Sequence, residues 1–160
     1  MPIDAAHLHL MLNHLPVIGA PLLLLLLTLA LLRHSGELTL VALGLIVGLA
    51  AATGLVYFTG EPAEELVEHA PWFQEALTEV HEEQATIGLV AALATGLLAA
   101  AALALRTRTW AARWLPRAVW AALAVTTLLL VWTAWSGGQI RHDEVRAAAA
   151  PPQVSGGREP

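Results

Sequence analysis

The chain contains no cysteine among its 160 residues. Disulfides, thiolate-ligated metal sites and covalent c-type haem attachment are therefore excluded. Lysine is absent as well, so arginine supplies all the basic side-chain charge. Charged residues of either sign make up only 13% of the chain, against 57% hydrophobic residues, a balance that does not suit a soluble domain. The scarcity is uneven. Four runs, residues 15–32, 38–59, 84–105 and 118–136, contain no Asp, Glu, Lys, Arg or His. Each is close to the roughly 20 residues of helix that cross a bilayer. In hydrocarbon every backbone N–H and C=O must be paired within the protein, so each run is predicted to be a helix. Transport pathways are normally marked by buried ionisable groups, and their absence from all four runs argues against a transporter or channel.

The residues between the runs set an expected orientation. The opening MPIDAAH has no basic residue, so the first run reads as a retained helix rather than a signal peptide. Arg33 lies between the first two runs, and Arg106, Arg108, Arg113 and Arg117 lie between the third and fourth. These loops share one side, which the positive-inside rule makes cytoplasmic. Both termini and the second-to-third connection then face outward from a bacterial inner membrane. Trp110, Trp114 and Trp120 mark the inner interface, and Tyr57, Phe58, Trp132 and Trp135 the outer one. Short loops make sequential helices antiparallel. The expected architecture is an all-α, up-down four-helix bundle within residues 1–146, with helices at about 8–33, 38–59, 71–106 and 114–137. Gly44 and Gly48 form a GxxxG pair, and Gly88, Ala92, Gly96 and Ala100 form a small-residue stripe. Such stripes let helices approach closely, within a bundle or between subunits, and would also admit a flat cofactor.

The outer connection, EPAEELVEHAPWFQEALTEVHEEQ at residues 61–84, holds eight of the thirteen acidic residues and no Arg or Lys. Pro62 and Pro71 are each placed to begin a helix, the second running unbroken into the third span. Glu75, Glu79, Glu82 and Glu83 line one side. They form a solvated face, or a negative surface that steers a cationic redox protein. The tail from residue 147 to 160 has the composition of a disordered segment.

Six of the seven histidines fall at the outer side: His7, His9, His14, His69, His81 and His142. A single interfacial histidine is more often an anchor or cap than a ligand. The group is a stronger signal, because imidazole is a common metal ligand and membrane-edge histidines facing a bundle are functional candidates. His14, His81 and His142 lie at similar depth. His9 projects about 140° from His14 on a regular helix, although Pro16 disturbs the turn before it. A Cu, Zn or Fe ion held by His14, His81, His69 and Glu65 is one reading. No Glu-x-x-His motif is present, which argues against a ferritin-like carboxylate site.

The opening HLMLNHLP, with His9 and His14, has the spacing H-x-x-x-x-H-x-P. With HEEQATIG at the start of the third helix and GGQIRH after the fourth, the chain resembles a family of small bacterial four-helix membrane proteins of unassigned function with an HPxxVHFP-like opening. The family has Pro where this chain has Leu10. The resemblance implies b-type haem held by histidines, the matching positions being His9, His14, His81 and His142.

Three functions follow from these readings. The first is a haem-b electron-transfer protein exchanging electrons with quinol or an external partner. The inner end has no second histidine group, so this chain alone would not wire electrons across the membrane. The second is binding of a metal ion. The third is a structural or assembly subunit, with small-residue faces as its partner surface. Neither a nucleic-acid partner nor a catalysed reaction is indicated. The topology is testable directly: a C-terminal reporter active only in the cytoplasm should be silent, and cytoplasmic activity would reverse the assignment of outer and inner ends.

Overall fold

The structure, a computed structural model, describes residues 4–142. The tail at 147–160 lies outside them. Six helices follow in order: α1 (Ala5–Leu12), α2 (His14–Leu32), α3 (Gly36–Tyr57), α4 (Gly60–Val67), α5 (Glu75–Ala104) and α6 (Thr109–Arg141). Four of them, α2, α3, α5 and α6, carry the apolar runs, and the fold is an all-α four-helix bundle of a multi-pass membrane protein. Packing follows the ring α2–α3–α5–α6, closed by α6 against α2. The short α1 and α4 lie against each other at one end.

Several boundaries differ from expectation. The first helix is interrupted at Asn13, although that residue keeps helical angles (φ −62°, ψ −23°). Pro16 has no N–H for the carbonyl of Leu12, so one rung of the ladder is missing there. Pro71 does not begin a helix. Residues 68–74 form turns, and α5 starts only after the extended Gln74 (φ −134°, ψ 103°). Its 30 residues still extend about 45 Å, against about 30 Å of hydrocarbon, so the acidic first turns stand clear of the membrane. At the other end of the chain α6 runs through Gly137 and Gly138 to Arg141, past the expected stop at 137.

The bundle is built small inside and large outside. Ala20, Ala30, Ala42, Ala99 and Ala102 are buried with Leu27, Leu43, Ile46 and Leu123. Leu22, Leu55, Leu97 and Leu128 point outward. Lipid is as apolar as leucine, so large side chains gain little by facing inward, and small ones let backbones approach. The stripe on α5 is filled this way. A Cβ on Gly96 would overlap that of Ala50 on α3, and one on Gly88 would touch Leu130 at 3.4 Å and Thr133 at 3.5 Å. Gly44 and Gly48 differ: nothing lies within 4 Å of a Cβ at either. Hydroxyls tie the helices at depth. Thr126 donates to Ala122 O (3.0 Å) and so accepts from Thr95 (2.9 Å). Trp120 Nε1 donates to Thr28 (2.8 Å), joining α6 to α2.

The α2–α3 turn ends in a Schellman motif, with His34 N–H on Leu31 O (3.2 Å) and Ser35 N–H on Ala30 O (3.0 Å). His34 takes the left-handed position (φ 52°) that glycine usually fills, at a cost of about 1 kcal/mol.

The two glycine sets should respond differently to substitution. Gly96→Val should separate α3 from α5 and lower stability by about 1–3 kcal/mol, whereas Gly44→Val should be nearly neutral. Unfolding in mixed micelles measures both. Equal effects would refute the assignment of the α5 stripe to internal packing.

Candidate functional site

At the end carrying α1 and α4, two histidines are half-buried: His9 on α1 and His81 on α5. They are close enough that a charge on His81 is felt at His9. Each is held through Nδ1. His9 Nδ1 lies 2.9 Å from Thr59 Oγ1, whose own proton is donated to Val56 O at 2.6 Å. The threonine oxygen can therefore only accept, and His9 Nδ1 must carry the hydrogen. The same logic holds at His81. Its Nδ1 lies 3.1 Å from Thr133 O, a pure acceptor, and 3.2 Å from Ser136 Oγ. Ser136 already donates to Thr133 O at 2.8 Å. Both imidazoles are thus Nδ1–H donors, and in the neutral ring Nε2 keeps a lone pair. That tautomer, fixed by a carbonyl or hydroxyl behind the ring, is how ligating histidines are oriented.

Glycine makes the room. A Cβ on Gly137 would sit 2.8 Å from His81 Cε1 and 3.1 Å from its Nδ1, so the ring occupies the space of a missing side chain. Gly60 stands against His9 in a looser way, with 3.8 Å to Cε1. One turn along α5 from His81, Gln84 is only 7% exposed, and its Oε1 has no hydrogen-bond partner among the described residues. Arg141 stacks 4.7 Å over the ring of Trp72, which pins the connection to the end of α6.

The other candidate residues are placed differently. His14 is exposed, and its Nδ1 donates to Leu10 O at 2.7 Å within its own segment. His7 is exposed and pairs with Asp4 at 2.8 Å. His69 is exposed beside Glu68 at 3.2 Å, and Glu65 is exposed on α4. His142 caps α6 through its backbone N–H, on Gly138 O at 3.1 Å, and is exposed. Among the described residues no three His, Asp or Glu side chains are placed to hold a metal ion. Sequence reading did not single out Thr59, Gln84, Thr133, Ser136 or Gly137. The available signal was a hydroxyl three residues after a helical carbonyl, a pattern too common to select.

The acidic connection contains a carboxyl pair. Glu64 on α4, outside the apolar runs, is pushed up to about 7, first by a hydrogen bond with Glu82 on α5, then by partial burial and by the charge of Glu82. A raised folded-state value favours the fold while the group is protonated, and that contribution is lost as pH rises from about 4.5 through about 7. The contact is largely in solvent, so the effect on global stability should be small. A spin-label pair across α4 and α5 should report a wider distribution at pH 8 than at pH 5. Glu64→Gln should remove that dependence. A distribution independent of pH in the unsubstituted chain would mean that the two carboxyls do not share a proton.

Comparison with protein-family models finds no match, nor does comparison with curated proteins or with solved structures.

Proposed function

We propose that this end of the bundle binds b-type haem through Nε2 of His9 and His81. The observation that carries the reading is the fixed Nδ1–H tautomer of two neighbouring half-buried imidazoles. Haem suits that donor set better than a bare ion does. An ion needs three or four protein ligands, and no such group is present among the described residues. Haem brings its own equatorial nitrogens and asks the protein only for axial imidazoles and an apolar setting. Bound there, it would supply one-electron transfer.

The chain's own residues have separate tasks in this reading. Thr59 holds the His9 ring against rotation, and Thr133 with Ser136 holds that of His81. Gly137 lets the second ring lie close to α6. Gln84 offers an acceptor to any N–H or O–H that enters beside it. The arginine loops favour a cytoplasmic location, which puts the histidine end outside the inner membrane, with both termini on that side. Electrons would then be exchanged on that same face, with quinol from the bilayer or a cationic protein drawn by the glutamates.

Visible spectroscopy of the purified full chain, as isolated and after addition of haem b, tests the reading. The reduced protein should show the sharp α-band of a six-coordinate bis-imidazole haem. His9→Ala and His81→Ala should each abolish it, whereas His14→Ala and His69→Ala should retain it. Protonation removes the Nε2 lone pair, so bound haem should decline on acidification. Failure of the unsubstituted protein to take up haem would leave His9 and His81 as ties between helices, and loss of haem in His14→Ala alone would move the site.

A further inference from the structure

The opposite end of the bundle holds a cavity of about 510 Å³ where α2 turns into α3 and α5 into α6. Its size is within the range of small-molecule pockets, about 300–1,000 Å³. Its walls change character with depth. Of its lining, Leu43, Ala102 and Pro116 are buried and form the floor, Leu31 and Thr39 are half-buried, and His34, Arg106 and Arg117 are exposed at the mouth. The first turn of α3, at Ser35 and Gly36, also faces it, adding the positive end of a 22-residue helix. The arginines are not neutralised. Among the described residues neither Arg106 nor Arg117 has a carboxylate within 4.0 Å, and each guanidinium bonds one backbone carbonyl, of Leu103 and Arg113 respectively. This end has five arginines against one acid, Glu37. His34 adds a ring at a backbone position that glycine would occupy without strain.

We propose that this cavity is a binding site for an anionic phospholipid, with the phosphate between Arg106 and Arg117 and the start of an acyl chain against the leucines. Charge complementarity fixes the sign of the ligand. The apolar floor separates a lipid from free phosphate, which would use the mouth alone. The position supports the same choice. The arginines follow directly after the third apolar run and precede the fourth, at the level where headgroups lie. Arginine beside a membrane surface contributes about fivefold each to attraction of an anionic lipid, so the pair should be worth about 25-fold.

Native mass spectrometry of the detergent-solubilised full chain tests this with phosphatidylglycerol and phosphatidylcholine as probes. Phosphatidylglycerol should bind at least about tenfold tighter, and Arg106→Gln with Arg117→Gln should remove the preference. The control pair Arg108→Gln with Arg113→Gln removes the same charge from the same end of the bundle but outside the cavity, and should keep it. Circular dichroism establishes that both variants retain their helices. Equal affinity for the two lipids, or equal loss in the two double variants, would overturn the proposal. Displacement of phosphatidylglycerol by inorganic phosphate below about 1 mM would assign the site to free phosphate and overturn the lipid.

Discussion

Hydrocarbon offers no water to a polar group, and the hydroxyls of this bundle show how the chain meets that constraint. Thr28, Thr86 and Thr126 each donate their proton to the carbonyl four residues earlier, and Thr59 and Ser136 to the one three residues earlier. A hydroxyl has one proton. Once it is given to the home helix, the oxygen can only accept, and the partner must be a donor. The partners fit: Trp120 Nε1, the Tyr57 hydroxyl, the Thr95 hydroxyl, His9 Nδ1 and His81 Nδ1. Five contacts between elements thus follow one rule. In a membrane each is worth about 0.6–2 kcal/mol, so together they rank with the close packing of the small residues.

The same rule gives the histidines their chemistry. A free imidazole chooses between two tautomers, but here the choice is made by Thr59 and by Ser136 with Thr133. The consequence reaches across each ring, since a proton fixed on Nδ1 leaves the lone pair on Nε2. His14 also donates through Nδ1, yet its acceptor is a carbonyl of its own segment and its ring is in the open. Local bonding orients a side chain. Only bonding across elements, with burial, brings two such rings into one neighbourhood.

The spans were legible because lipid demands continuous apolar sequence, and nothing outside residues 15–32, 38–59, 84–105 and 118–136 has that character. The division of charge was legible for the same reason, since arginine and glutamate have nowhere to go but the ends. The helix limits were less so. The fourth helix was expected to stop at about 137, but α6 continues to Arg141, with Gly137 packed against His81. Pro71 is a permitted first residue of a helix, and the turn at 68–74 overrides it. Depth alone favours His14 over His9 as the partner of His81, yet His14 is exposed and His9 is half-buried. The difference depends on α1 folding onto α4, a contact between distant segments that leaves no local pattern. Gly44 and Gly48 have the same spacing as a packed pair, and only the ring order of the helices reveals that they face away.

Small residues at mid-bundle leave two opposite possibilities, a slot for a flat ligand or direct contact of helices, and the geometry decides between them. Ala50 fills the space at Gly96, and Leu130 and Thr133 fill it at Gly88. Thr95 and Thr126 bond directly across α5 and α6 at the same level. No planar group fits between these helices without parting them, so the middle of the bundle works as a clamp. Its function is then to hold the two ends in register. One end has fixed imidazoles and glutamates, the other two guanidiniums with no carboxylate partner among the described residues, over an apolar floor. On the proposed haem reading, an electron centre at the first end would find no histidine relay through the middle among the described residues, and would exchange electrons on its own side. On the proposed lipid reading, the second end would hold a headgroup and help to fix how the bundle sits in the bilayer.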